Sequence, residues 1–297
     1  MGGDLHCHTK LSDGSLGIED LITLAKKRGV GTIAITDHDC LAGTVRGKII
    51  GERFGVQVIP GVELSATDTE TGKKVHLLCY LPEFPDRLEG LCHRNSLIRK
   101  KAAHYMMLQI AKRYPVSAEF IVKCATGSTN IYKQHMMQAL MECGFTTEIY
   151  GDLYRTLFDK SVLGNILVTP KYADIAEVLT AIHDAGGIAV LAHPFMYDNL
   201  DSLPRLMENG LDGIEVWHPS ANEEQQAELK KIATKNKLLM TGGTDFHGLY
   251  NLHQVSLGDV SAPDDAVSKL LGYKAKQKRL AKKAQKAAEA AASGETV

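Results

Sequence analysis

The chain holds six cysteines, at positions 7, 40, 79, 92, 124 and 143, but no C-x-x-C pair and no regular spacing. That argues against a zinc ribbon and against a disulfide framework, and makes reduced thiols in a cytoplasm the expectation. No apolar run approaches a membrane span, and the distinctive pattern begins at His6, so neither a membrane segment nor a signal peptide is expected. Charge of one sign is not in excess either. The formal net charge of −1 gives no global affinity for nucleic acid or membrane. Internal repeats are lacking, and no serine or cysteine stands where a neighbour would activate it as a nucleophile.

What is present begins with Asp4-Leu5-His6-Cys7-His8-Thr9. Two histidines one residue apart cannot share a helix face, but on a strand they point the same way, with Cys7 pointing opposite. That suits two imidazoles on one metal ion, or equally two solvated histidines on a surface strand. The rest of the chain alternates short apolar β-branched runs with helical patterns. A helix over 17–29, capped by Ser15 or Asp13, precedes the strand Gly31–Thr36, and a helix over 42–54 follows. Val56–Ile59 then leads through Pro60-Gly61 into Val62–Ser65, and after a turn over 67–74 a strand Val75–Tyr80 pairs back. Helix 171–185, strand Gly187–Ala192, helix 202–209, strand Gly213–Trp217, helix 222–236 and strand Leu238–Thr241 complete the pattern. Such alternation implies βαβ units and a largely parallel sheet.

Between about 86 and 170 no buried strand is legible, and helical spacing takes over. Residues 92–170 carry ten Lys or Arg against five acids, and the tail from Lys274 carries seven against two, leaving the body acidic. An acidic body with a basic segment fits a metal-rich site beside a surface that attracts an anion. The organisation expected is a barrel built from 1–90 and 171–265, a helical cap at 91–170, and a basic Ala/Lys-rich tail at 266–297.

The strand ends collect His6 and His8, Asp37 and His38, Glu63, His76, His193, His218, and Asp245 with His247. In parallel α/β barrels the C-terminal strand ends share one face, where active sites are built. Singly, each histidine reads as a hydrogen-bonded structural residue. Together they would leave unpaired polar atoms and repelling carboxylates unless divalent cations were bound. Imidazole and carboxylate without thiolate points to Mn, Fe or Zn, and more than four ligands means two or three ions.

His6-x-His8, Thr36-Asp37-His38, Gly61-x-Glu63, Ala192-His193-Pro194 and Gly243-Thr244-Asp245-Phe246-His247 resemble the polymerase-and-histidinol-phosphatase (PHP) domain, in family order across 4–260. The resemblance implies a distorted (β/α)7 barrel with a helical insertion and a two- or three-metal phosphoesterase centre. It places His6, His8, Glu63 and Asp245 on one ion, Glu63 with His76 and His193 on a second, and Asp13, His38 and His247 on a third. Glu63, His193 and Asp245 form the catalytic core. Asp13, in the loop after the first strand, is supplied by the resemblance alone, where relatives use His or Asp. Asp37, a ligand on the residues alone, becomes a partner that orients an imidazole.

The cap places the chain near the branch acting on nucleoside 3′,5′-bisphosphates and short RNA ends. There an Arg-x-His stretch holds substrate phosphate, matched here by Lys133 and His135. Lysine keeps the charge and loses the two-pronged donor geometry, and Met196 stands where the branch often has Arg. His218 is either a substrate contact or a satisfied strand-end histidine. The expected reaction is hydrolysis of a phosphate monoester on a nucleotide by a hydroxide held between two ions. The expected partner is that small phosphorylated substrate or a short RNA, with no membrane and no obligate protein partner. Two rivals stand beside it. A C–N hydrolase of the amidohydrolase type also opens with H-x-H, but it usually enlists a bridging lysine where this chain has Glu63. A PHP-type regulatory module would bind metal without turnover.

Overall fold

The computed structural model describes residues 2–292. Seven strands, β1 (Gly3–Cys7), β2 (Thr32–Ile35), β3 (Gln57–Thr67), β4 (Lys74–Tyr80), β5 (Ile188–Leu191), β6 (Gly213–Trp217) and β7 (Leu239–Gly242), lie side by side in sequence order. The helices are α1 (Ile18–Lys27), α2 (Thr44–Phe54), α3 (Glu89–Arg113), α4 (Ala118–Cys124) and α5 (Lys133–Glu142). They continue as α6 (Asp152–Phe158), α7 (Ile175–Asp184), α8 (Leu203–Glu208), α9 (Glu223–Asn236) and α10 (Asp264–Ala292). Neighbouring strands run parallel except at β4, which is antiparallel to both β3 and β5. The architecture is a (β/α)7 barrel with one strand reversed.

β3 departs from the sequence reading, because one strand runs straight through Pro60-Gly61. Residues up to Pro60 pair with β2, and from Gly61 onward the strand pairs with β4. Proline, which has no N–H to give a ladder, sits where the strand changes partner.

Alternation along the strands sorts their side chains. Ile33, Ile35 and Val58 face outward into a cluster shared by α1 and α2, with Val58 against Gly47 and Gly51 of α2, and the acidic first turn (Glu19, Asp20) and basic last turn (Lys26, Lys27) of α1 suit its helix dipole. Leu64, Leu77, Leu191 and Ile214 face α7, α8 and α9. The alternate residues Ala34, Ile59, Leu78 and Val190 belong to a separate cluster with Ala266, Val267 and Leu270 of α10. The boundary expected at 265/266 therefore falls inside a helix whose first turns pack on the barrel, and residues 293–297 of the expected tail lie outside the described residues. Leu270→Ala should cost about 2–5 kcal/mol, the usual range for emptying a core leucine, read as a lower urea midpoint with an unchanged slope.

Closure between β1 and β7 is made by few groups. His8 N–H donates to Phe246 O at 2.8 Å, and Phe246 N–H to His6 O at 3.1 Å. The buried Asp4 carboxylate accepts from Thr244 N–H (2.9 Å), Thr244 Oγ1 (2.6 Å) and Gly258 N–H (2.9 Å). A Cβ on Gly243 would lie 2.5 Å from His6 N, so only glycine lets the end of β7 come this near β1.

Between β4 and β5 the chain makes α3 to α6, with their own apolar cluster around Met106, Ile110, Ile121, Met136, Leu140 and Leu157. α3 ties the two bodies together. Leu91 and Cys92 at its start join the barrel cluster, while Ala102 to Ile110 join the helical one.

Candidate metal centre at the barrel mouth

Glu63 is the hub. Its Oε1 lies 2.5 Å from His76 Nδ1 and 2.8 Å from His193 Nε2, and its Oε2 lies 2.9 Å from His38 Nδ1. The same Oε2 is 3.2 Å from His8 Nε2 and 3.4 Å from His6 Nε2. Asp245 Oδ1 completes a corner, 3.1 Å from His8 Nε2 and 3.4 Å from His6 Nε2. His76 arrives by an unexpected route. Because β4 is reversed, its N-terminal end, not its C-terminal end, reaches the mouth. Register sets it there, with His76 opposite Ser65 and Leu78 opposite Glu63.

A second corner forms around Asp13, whose Oδ1 is 3.2 Å from His247 Nε2 and 3.6 Å from His8 Nδ1. Its Oδ2 is 3.8 Å from His38 Nε2. Donor atoms within 4.8 Å of one another fall into three overlapping groups: His6, His8, Glu63 and Asp245; His8, Asp13, His38 and His247; and His38, Glu63 and His76.

Supporting contacts fix these rings. Glu215, which the sequence reading left inside a strand, lies 3.0 Å from His6 Nδ1, so His6 Nε2 is the nitrogen presented to the cluster. Its other oxygen accepts from His193 N–H at 2.8 Å. Asp37 belongs to none of these groups, and its carboxylate bonds no imidazole among the described residues. Its oxygens accept from Thr9 N–H (2.7 Å), Thr9 Oγ1 (2.7 Å) and Ser12 Oγ (2.6 Å), and only through Ser12 does it approach His8 Nδ1, at 3.4 Å. It braces the loop that carries Asp13. His193, Asp245 and Asp39 have φ of +26°, +51° and +49°, a left-handed backbone that costs a non-glycine residue about 1–3 kcal/mol. Neighbours hold that strain: Glu215 grips His193, and Asp39 binds Ser65 N–H at 3.0 Å and Arg99 at 2.7 Å.

Burial works against every charge here. Desolvation would push His8 down, yet Asp245 and Glu63 outweigh it and push it up to about 10. His6 is also raised, with Glu215, Asp245 and Glu63 overcoming burial. Against burial, His38, His76 and His6 hold Glu63 well below the usual carboxylate range, and His6 and His247 do the same for Asp245. His38 and His76 are lowered, chiefly by desolvation. Even so, His6 Nε2, His8 Nε2, Asp13 Oδ1, His38 Nδ1, Glu63 Oε2 and Asp245 Oδ1 are buried without a hydrogen-bond partner. Buried polar atoms rarely stay unpaired, and those unpaired here converge on one another. A set of imidazole and carboxylate donors left open in this way fits divalent cations.

Above the ring lies a cavity of about 530 Å³, reached by barrel and cap residues alike. Lys74, Arg99, Lys133 and Lys160 line it, with Tyr132, Tyr154 and Tyr197. Lys74 Nζ bonds Tyr197 Oη at 3.1 Å, and Lys133 Nζ sits 5.6 Å from the Phe158 ring centroid. The partners of these two lysines are aromatic, Tyr197 for Lys74 and Tyr154 with Phe158 for Lys133, and neither forms an ion pair among the described residues. Arg99 joins Asp39 and lies over the Tyr132 ring at 4.9 Å. His135 is elsewhere. Its Nδ1 accepts from Tyr132 N–H at 3.1 Å to cap α5, and the ring is not part of the cavity wall. His218 is half satisfied: Nδ1 accepts from Ser220 N–H at 3.0 Å, while the unpartnered Nε2 faces Asp245 Oδ2 at 3.7 Å.

Arg99, Lys74 and Glu215 escaped the sequence reading for different reasons. An acid in the middle of Gly213-Ile-Glu-Val-Trp217 is a legible oddity in a buried strand. Arg99 and Lys74 are ordinary cations until the fold turns them inward.

A barrel mouth of this kind is that of a metal-dependent phosphoesterase, a hydrolase of phosphoester bonds. The PHP domain matches residues 4–190, and the chain belongs to that family. It is 38% identical over 250 residues to the phosphoribosyl 1,2-cyclic phosphate 1,2-diphosphodiesterase of Eggerthella lenta, covering 83% of this chain and 94% of that one. Over 255 residues it is 31% identical to the 5′-3′ exoribonuclease Rnm of Escherichia coli, covering 82% and 84%. A crystal structure from Bifidobacterium adolescentis, assigned to the metal-dependent phosphoesterases, superposes with a TM-score of 0.83 at 28% identity, over 91% of this chain and 96% of that one. No helix among the described residues is long and apolar enough to cross a membrane.

Proposed function

We propose that this enzyme hydrolyses a phosphate ester on a ribose that carries a second phosphate, such as a nucleoside 3′,5′-bisphosphate or the phosphorylated end of a short RNA. One observation carries the reading. A single cavity has the imidazole–carboxylate ring as its floor, and on its wall Lys74, Lys133 and Arg99, of which the two lysines have no carboxylate partner among the described residues. A substrate with one phosphate would leave that wall uncompensated, and a second phosphate matches it.

His6, His8, Glu63 and Asp245 would hold one divalent ion, Glu63 with His76 and His193 a second, and Asp13, His38 and His247 a third, of Mn, Fe or Zn. Such ions supply a nucleophile at neutral pH and positive charge for the phosphoryl oxygens. The chain's own residues do the rest. Glu215 orients His6, Asp37 braces the Asp13 loop, and His218 Nε2 aims at Asp245. Lys133 and Arg99 bind the remote phosphate, and Tyr154 and Tyr197 offer aromatic faces that keep water from the ribose side. All six cysteines are free thiols, and we place the protein in the cytoplasm.

A second reading is a cyclic phosphodiester of a phosphorylated ribose. It is favoured by the 38% identity to the cyclic phosphate diphosphodiesterase. It uses the same site, with the other phosphate again on the cationic wall. Product analysis by phosphorus NMR separates the readings on three compounds: a nucleoside 3′,5′-bisphosphate and the matching 5′-monophosphate, which release orthophosphate, and a 5-phosphoribosyl 1,2-cyclic phosphate, whose ring opens to a monoester before any orthophosphate is released. Turnover of the bisphosphate well above the monophosphate is expected. Preference for the cyclic compound selects the second reading, and equal use of bisphosphate and monophosphate overturns both. Activity that falls steeply with salt would mark an RNA-tracking enzyme.

The wall gives a pH dependence. Burial, then the charges of Lys74, Lys160 and Arg99, lower Lys133 to about 8. It is charged below that pH and neutral above, so anion binding is present at pH 7 and fades as pH rises. kcat/KM, which reports free-enzyme groups, should decline above about 8. Lys133→Met should raise KM about tenfold or more, the worth of a charge-assisted hydrogen bond, leave kcat nearly unchanged, and make that alkaline decline shallower, the remainder belonging to Lys74, which burial also lowers to about 8. An unchanged KM would remove Lys133 from the site.

A further inference from the structure

The loop bearing Asp13 is held from two sides. Asp37 of the barrel grips Thr9 and Ser12, as described above. From the cap, Thr129 N–H and Oγ1 both reach Leu11 O at 3.0 Å, Ser128 Oγ donates to Ser12 O, and Gln134 Nε2 donates to Asp13 Oδ2 at 3.2 Å. Three successive loop residues, Leu11, Ser12 and Asp13, thus each receive a hydrogen bond from segment 128–134. Tyr132, in the same segment, stacks on His38 with 6.0 Å between ring centroids and 19° between planes. Two members of the His8, Asp13, His38 and His247 group are therefore positioned by the cap, although all four lie on the barrel.

Gln134 has the most specific effect. A carboxylate can accept only from the amide NH2, so this contact fixes both partners. It ties down Oδ2 and leaves Oδ1, buried and without a hydrogen bond, turned toward His247 and His8. Free to rotate, Asp13 would lose that aim. Partners that hold a ligating carboxylate change metal affinity although they never touch the ion.

We propose that this four-residue group is a joint site of barrel and cap, and that Gln134 is the positioning residue on which its ion depends. The inference rests on the reading of the ring as a metal centre. The test is ion content and affinity without substrate, using full-length protein loaded with Mn²⁺, measured by elemental analysis and by titration followed by electron paramagnetic resonance. Wild type should hold three ions. Gln134→Met, similar in length and equally suited to a helix, should hold two firmly and bind the third about 10–100-fold more weakly, the range for such partners. Its far-UV circular dichroism should stay unchanged. Thr129→Val should weaken the third ion by a smaller factor, and Gln138→Ala, one turn along α5, should leave all three in place. Three ions at wild-type affinity in Gln134→Met would overturn the proposal, as would a wild type that binds ions but none at this group. A wild type that binds no ion would instead overturn the reading of the ring itself.

Discussion

Glu63→Gln is expected to lower kcat/KM by at least about 10³-fold, roughly 4 kcal/mol of transition-state stabilisation. Five imidazoles lean on this one carboxylate, at 2.5 to 3.4 Å. Glutamine keeps the shape but removes the charge and sets an NH2 group where an oxygen faces His38, His8 and His6, or His76 and His193. Either orientation turns a donor toward nitrogens that must offer lone pairs. Ion content should fall by at least one equivalent. The fold should persist, with an unchanged far-UV spectrum and a lower melting temperature, because Glu63 offsets the charge on His6 and His8 in the ion-free protein. A variant retaining a tenth of wild-type kcat/KM would show that Glu63 does not link the His6, His8 and Asp245 group to His76 and His193.

Stripping the ions with a strong chelator should abolish phosphate release and lower Tm. An ion present at 100 times its Kd contributes about 2.7 kcal/mol to the folded state. In a chain of this size each kcal/mol moves Tm by about 2–4 °C, so each ion is worth about 5–10 °C. Adding back Mn, Fe or Zn should restore both, and the ion restoring most activity identifies the working metal. Full activity after exhaustive chelation would overturn the metal-dependent reading.

Much of this candidate centre was legible in the sequence because the residues brought together obey short rules. Alternation put His6 and His8 on one face, and the runs ending at His38, His193 and Asp245 read as strand ends because each follows a β-branched or apolar stretch. Asp37 misled, since adjacency to His38 says nothing about direction. Successive residues at a strand end point apart, and the structure turns Asp37 toward the loop. His135 was expected beside substrate phosphate and is placed at a helix start: three residues after Tyr132, it sits where a side chain can return to cap its own helix. His76 was found but for the wrong end of its strand, because the hairpin was visible and its effect on strand direction was not. Gln134 had no local signal at all. Its partner is 121 residues away, and nothing in Lys133-Gln134-His135 marks the middle residue as the one facing the ring.

The closure at Asp4 has a consequence for how the protein is made. Glu63 and His76 come from one hairpin and can meet as soon as it emerges, but Asp4 meets Thr244 only across 240 residues. At about 5–20 residues per second of synthesis, His6 and His8 wait roughly 12–48 s for Asp245 to leave the ribosome. Until then the chain offers only fragments of the set, and the group of His6, His8, Glu63 and Asp245 is complete only once both edges of the barrel have been made.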